Sequence, residues 1–400
     1  MRVLISGGGI AGLTLAYWLH QHQIPAVVIE QAKQIRREGY GIDFFGTGYD
    51  VAARMSLIER LAAQQLPFDA ILYLNKRGKP VVSMDTDLMK SVMDGKYMAL
   101  MHWTLEEALY DALKERVEVR FDRTLTAVRQ DLEQVEVTFN DGTRESFDLL
   151  IGADGVHSLT RKLVFGPEEQ FSHYLGYTIA CYPLPDRYGI GHAWKMHVDP
   201  RRLAGAYCSK QEGEIVTLFM YEAAEREYLS REQRLPRLHQ VFEGMGWVTR
   251  QMLADTPVTE NIFMDAVTQI QMPTWQQGRV ALVGDACGCP TLISGQGASL
   301  AMGGAYLLAE ALGETSDYRE AFRLYEQRVR PHVQTQQKSA RSFAKTFVPG
   351  STFSLLMQQI MMKVLTRNAF KGLLRRQFGA QSILPSPDKT PQAAQQAAPV

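Results

Sequence analysis

Val3-Leu4-Ile5-Ser6-Gly7-Gly8-Gly9-Ile10-Ala11-Gly12 opens the chain with an unbroken apolar run that stops at glycines. Leu13, Leu15, Ala16, Tyr17 and Leu19 then read as a helix, and Ala26-Val27-Val28-Ile29 as a second apolar strand ending at Glu30. Strand, glycine turn, helix, strand and terminal acid in this order form the dinucleotide fingerprint in its required setting, the start of an α/β domain with a parallel sheet. Gly7 permits the tight turn, Gly9 lets a pyrophosphate approach the backbone, and Gly12 lets helix and strand pack closely. The unpaired N–H groups around Ile10 and Ala11 at the helix N-terminus attract phosphate. Glu30 stands where a carboxylate accepts from both ribose hydroxyls and repels a 2′-phosphate. The fingerprint alone does not separate FAD from NAD.

Two later segments repeat the pattern of an apolar strand ending in a carboxylate. Asp148-Leu149-Leu150-Ile151-Gly152-Ala153-Asp154-Gly155 is one, and Gly278-Arg279-Val280-Ala281-Leu282-Val283-Gly284-Asp285 the other. In an open α/β sheet the strand carboxyl ends face the ligand crevice. Asp154 and Gly155 are therefore expected at the cofactor, and Asp285 is expected to accept from a polyol chain. Pro290 follows, then Gly295-Gln296-Gly297-Ala298 opens an apolar helix through Leu300, Ala305 and Leu312. That second helix N-terminus is suited to stabilise negative charge on a reduced isoalloxazine.

These three motifs resemble the group A FAD-dependent monooxygenases, the p-hydroxybenzoate hydroxylase-like family, over roughly residues 1–335. The stretch from Phe263 to Leu312 is most similar to the branch containing tetracycline-inactivating flavoenzymes and polyketide hydroxylases. The resemblance implies that Asp285 binds the ribityl chain and that Asp154, Gly155 and Arg161 serve FAD and NAD(P)H contact. Cys287-Gly288 replaces the family's frequent Ala-His, and Gly303-Gly304 replaces a common acidic residue. His102 stands in the place of an FAD-contacting arginine, which weakens a phosphate contact. Arg36 or Arg37, ahead of Gly39-Tyr40-Gly41, either compensates or lies on the surface.

The implied chemistry is that of a one-component hydroxylase. NADPH or NADH reduces FAD, and O2 then gives a flavin C4a-hydroperoxide that attacks a bulky aromatic or polycyclic substrate. A tetracycline-type antibiotic is the leading candidate, with simple phenols open. Pro290, Gly295, Gln296 and Gly297 are expected at the reacting ring, and His192, Met220 and Tyr221 are substrate-contact candidates. Two alternatives stay open: another FAD oxidoreductase of the same fold, such as a reductase, or a non-catalytic flavoprotein that sequesters an aromatic ligand.

The expected organisation is a discontinuous FAD domain (1–70, 97–170, 278–335) and an α+β substrate domain with an antiparallel sheet (71–96, 171–277). A C-terminal helical segment (336–384) and a disordered tail (385–400) complete it. Ser351 to Phe378 reads as one helix with Lys363, Arg367, Lys371 and Arg375 along a face. It is expected to close over the two domains, although a membrane-surface helix shows the same pattern.

Composition bounds the rest. The 400 residues are 46% hydrophobic and 22% charged, in the globular range. Apolar runs stop well short of the ~20 residues of a membrane span. The first residues read as a strand and not a secretory signal, and four cysteines are too few for a disulfide scaffold, so a cytoplasmic setting is expected. Residues 1–326 hold 32 basic and 42 acidic side chains, net −10, whereas 327–387 hold ten basic and none acidic. The reading is a basic segment docked on an acidic body. Nucleic acid is not expected, because no binding module accompanies the charge. Cys287 and Cys289 lack further ligands at metal spacing, so no metal is expected. The protein is expected to act as a monomer.

Overall fold

The computed structural model describes residues 1–37, 39–258, 261–291, 295–365 and 382–384. A six-stranded sheet runs in the order Gln276–Gln277, Val280–Leu282, Leu149–Gly152, Val3–Ser6, Ala26–Glu30, Glu118–Phe121. All pairings are parallel except that of the two-residue edge strand. Successive strands add on one side of Val3–Ser6 and then return to its other side. The switch point, where ligands bind in such sheets, therefore lies between Val3–Ser6 and Leu149–Gly152.

Both faces of this sheet are covered, which is why its strands read as continuous apolar runs. Val3, Ile5, Val28, Leu149 and Ile151 pack against the helices Ile10–Gln21, His102–Leu113 and Gly297–Glu314. Leu4, Val27, Ile29, Leu150 and Val280 pack against an antiparallel sheet of Leu125–Gln130, Val135–Phe139 and Arg144–Phe147. A hairpin at Asn140-Asp141-Gly142 joins the last two of these strands, with Gly142 at φ 82°.

The second domain is a seven-stranded sheet. Its order is Phe263–Ile270, Ser172–Pro185, Glu214–Glu222, Arg202–Cys208, Ala193–Asp199, Ala70–Leu74, Pro80–Asp85. It is antiparallel apart from the pair Ala70–Leu74 and Ala193–Asp199, which meet in parallel because the hairpin 70–85 arrives from a distant part of the chain. One face packs on the helices Arg231–Val241 and Thr249–Ala254 through Tyr182, Phe219, Tyr221, Leu238 and Phe242. The other face, with Ile179, Tyr207 and Leu218, turns toward the first domain. Met196 and Met220 are buried in the cluster facing the first domain, and Met272 in the first domain's own core, as packing residues.

One 30-residue helix, Tyr318–Phe347, runs through the expected boundary at 335/336. A second helix, Thr352–Leu365, follows. It packs on the seven-stranded sheet through Leu355 and Met362. Ile383 returns to the first domain, where its N–H donates to Thr47 Oγ1 at 3.1 Å. In the basic segment, Arg328 pairs with Glu314 at the end of the preceding helix, and Arg330 pairs with Glu326 one turn earlier on its own helix. Arg367, Lys371, Arg375 and the tail 385–400 lie outside the described residues. No helix among the described residues is long and apolar enough to cross a membrane.

Candidate active site

A crevice of about 270 Å³ runs along the strand carboxyl ends at the switch point. Gly7, Gly9, Ile10, Ala11, Glu30, Asp154, Gly155, His102, Asp285, Gly297 and Ala298 all line it. Gly7 adopts φ 116°, and a Cβ there would lie 2.4 Å from the Ala153 carbonyl oxygen. Gly12 lies beneath the wall, where a Cβ would meet the Gly7 carbonyl at 1.9 Å. The Glu30 carboxylate is held at the strand end by the N–H groups of Gly8 and Ala32, each at 2.8 Å.

Asp154 contributes its backbone to the wall and turns its carboxylate into the loop. Oδ1 accepts from Ser158 Oγ at 2.5 Å, and Oδ2 from Thr160 N and Oγ1 at 2.8 Å. Burial raises its pKa, against the pull of these donors. Arg161 is fully buried, and its guanidinium donates to Ala286 O at 2.8 Å and Val156 O at 2.7 Å. It therefore fastens the Asp154 loop to the Asp285 loop.

A second cavity of about 170 Å³ lies between the first domain and the seven-stranded sheet. His102, Asp285, Gly297 and Ala298 line both cavities and so form their junction. Gly297 begins an 18-residue helix, and a Cβ there would meet nothing within 4 Å, so the helix N-terminus is open to the crevice. Gly295, at φ 65°, lines the second cavity beside it. Gln296 is the N-cap. Burial raises the Asp285 pKa, opposed by His102 and Cys289. Burial lowers that of His102, but Glu106 and Asp285 carry it net upward, toward the imidazolium.

The structure separates several expected residues from this junction. Arg37 is 70% exposed, pairs with Glu107 at 2.7 Å and stacks over Trp103, so it stands outside both cavities. Pro290 is buried behind the wall, its carbonyl accepting from Gln269 Nε2 at 2.9 Å, and Thr291 takes the wall position. Tyr221 faces the helix layer and donates to Glu227 at 2.5 Å, because alternate residues of its strand face opposite ways. Met220 is on the correct face, but Leu218 is the residue that reaches the cavity. His192 is exposed, with Nδ1 2.8 Å from Pro67 O. Sequence reasoning passed over Glu106 and Arg123, which line the crevice, and Asp43, Trp194 and Tyr207, which line the second cavity. Arg123 carried a signal, since it follows the strand Glu118–Phe121 whose end faces the same crevice.

His157, after the Asp154-Gly155 turn, bridges the two domains. Nδ1 lies 3.0 Å from Glu168 Oε2 and Nε2 lies 3.1 Å from Asp265 Oδ2. Asp265 and Glu168 raise its pKa from 6.5 to about 9. Burial pushes Glu168 up, but His157 and Arg226 bring it from 4.5 down to about 2. A raised histidine contributes stability fully below pH 6.5, and that contribution is lost as pH rises through about 9. The carboxylate's contribution is present above 4.5 and lost as pH falls through about 2. The melting-temperature deficit of His157→Gln should thus be constant between pH 5 and 6.5 and vanish above about 9. A deficit that persists at higher pH would show that packing, and not charge, supports the bridge.

The FAD binding domain family matches residues 1–339 of the chain. A Mycobacterium tuberculosis protein, the uncharacterized protein Rv1260, is 33% identical over 340 residues, covering 84% of this chain and 91% of its own. A flavin-dependent monooxygenase of an unknown prokaryotic organism is 28% identical over 351 residues, covering 87% and 90%. The crystal structure of tetracycline destructase Tet(55) superimposes with a TM-score of 0.82 at 26% identity, covering 96% of this chain and 98% of that one. With its switch-point crevice and three strand-end motifs, the chain belongs to the FAD binding domain family and is a flavin-dependent monooxygenase of the group A type.

Proposed function

We propose that the protein uses NADPH or NADH and O2 to hydroxylate a bulky aromatic or polycyclic compound, with a tetracycline-type antibiotic as first candidate. The observation that carries this is the junction. A crevice suited to an adenosine–pyrophosphate–polyol chain meets a cavity walled by Tyr40, Phe68, Trp194 and Tyr207 at His102, Asp285, Gly297 and Ala298. The candidate substrate follows from the likeness to Tet(55).

The residues fit FAD. Glu30 offers a carboxylate to the ribose hydroxyls, and the helix N-terminus at Ile10 offers N–H groups to the pyrophosphate. His102 adds positive charge beside it, and Asp285 accepts from the ribityl hydroxyls. Bound FAD supplies the electrons and the oxygen activation. The N–H groups of Gly297 and Ala298 would stabilise negative charge on the edge of a bound flavin ring. The aromatic walls exclude water from the reacting atoms. No nucleophile or acyl-transfer triad is required of the protein.

Purified protein with tetracycline, NADPH and air should bleach the drug's absorbance near 360 nm and give a product 16 mass units heavier. Reductant and O2 consumption with an unchanged tetracycline spectrum would remove that substrate and leave the hydroxylase reading. Saturable binding of aromatic ligands with no turnover under any reductant would replace it with sequestration.

A further inference from the structure

The second cavity has an unusual charge balance for a site that takes aromatic compounds. Among the described residues its walls include Asp43 and Asp285 and no lysine or arginine. His102 is the one basic group there, and its charge is already answered by Asp285 and by Glu106 at 3.6 Å. Asp43 has no such answer. It sits on the strand Gly41–Phe45, paired with Tyr97–Met101. Oδ1 accepts from Tyr97 O–H at 2.7 Å, its one hydrogen bond among the described residues. Oδ2 lies 3.6 Å from where a Cβ of Gly295 would stand, beside the turn that opens the second helix. Tyr97 thus fixes one oxygen and leaves the other at the cavity's inner end. Tyr207, on the facing sheet, uses its oxygen to accept from Gly41 N at 2.6 Å. Trp194 keeps a buried indole N–H with no acceptor among the described residues.

A half-buried carboxylate with one unengaged oxygen attracts a donor or a cation and repels an anion. The effect is larger than at a fully exposed carboxylate, because a half-buried group is less screened by water. The rings of Tyr40, Phe68, Trp194 and Tyr207 reinforce this, since aromatic faces attract cations. An aromatic carboxylate would need a lysine or arginine to pair with; among the described residues the walls hold neither, and His102 is already engaged by Asp285 and Glu106.

We propose that the cavity selects neutral or cationic aromatic ligands that donate a hydrogen bond to Asp43, and rejects aromatic carboxylates and other anions. Asp43 is then the specificity-determining residue. A phenol, an enol or an ammonium group attached to fused rings meets the requirement. The inference rests on reading this cavity as the substrate site, and it concerns binding alone, so it does not depend on turnover.

The test uses the FAD-loaded enzyme without reductant. Perturbation of the flavin absorbance is titrated with 1-naphthylmethylamine and with 1-naphthoate, which share a ring system and differ in charge. The amine should bind at least tenfold more tightly, about 1.4 kcal/mol. Asp43→Asn should bring the two dissociation constants within about threefold of each other, with the flavin retained. Equal or tighter binding of naphthoate by the wild type overturns the proposal, and does so even if the variant does not fold. A preference unchanged in a folded, flavin-loaded Asp43→Asn also overturns it, as does failure of both probes to bind. Loss of oxygen transfer with every substrate, beside an intact amine preference, would instead refute the proposed reaction.

Discussion

Gly12→Ala is expected to give colourless protein, with a stability loss of about 3 kcal/mol. The added Cβ would lie 1.9 Å from the Gly7 carbonyl oxygen and 3.1 Å from its carbon, and both are backbone atoms that no rotamer change can move. Relief requires the helix Ile10–Gln21 to withdraw from the strand Val3–Ser6. That helix is almost wholly buried on its inner face, through Leu13, Leu15, Ala16 and Leu19. Withdrawal would open the first core and displace the N–H groups that face the crevice. The absorbance ratio of flavin to protein after purification reads the first effect, and a denaturant midpoint reads the second. Normal flavin content would mean that the turn relaxes elsewhere and that the close approach is not needed for the cofactor.

Arg161→Met is expected to cost about 3–5 kcal/mol, the range for breaking a buried ionic group from its partners. The guanidinium is fully buried and donates to carbonyls on two separate loops, Val156 and Ala286, with Glu168 Oε2 at 3.5 Å. Methionine fills much of the volume but leaves both carbonyls without their donor, while Glu168 keeps His157 and Arg226. Arg161→Lys should rescue only part of the loss, because a single ammonium does not reproduce the planar fork that spans the two loops. The expected signature is a lowered unfolding midpoint together with weakened FAD retention, since Asp154 and Asp285 would lose their common tether. If Met and Lys variants held FAD as tightly as wild type, the tether would be structural only.

The first domain was readable because its signals are local. Glycines at positions 7, 9 and 12 and apolar runs ending in Glu30, Asp154 and Asp285 describe strand ends. Parallel-sheet topology then places strand ends on one crevice. The second domain was readable as strands but not as a register. Tyr221 and Leu218 are three residues apart on one strand and face opposite layers. Only pairing with Arg202–Cys208 and Ser172–Pro185 sets which parity faces inward. Pro290 and Arg37 show the same limit in loops. Gln269 draws the Pro290 carbonyl behind the wall, and Glu107 draws the Arg37 guanidinium out to the rim.

Asp43 illustrates the remainder. Nothing within ten residues of it marks it as special, and it gains a role from Tyr97, 54 positions away, and from Gly295, farther still. The amino-acid order by itself determined the nucleotide-type strand–turn–helix unit, the placement of three acids at strand termini and the α/β class. Those depend on backbone sterics and on periodicities of a few residues. Which side chains meet across the junction, which oxygen of Asp43 is held by Tyr97 and which carbonyls Arg161 joins were decided only when distant segments packed. Such contacts depend on the relative positions of whole elements, and no short window of sequence contains that information.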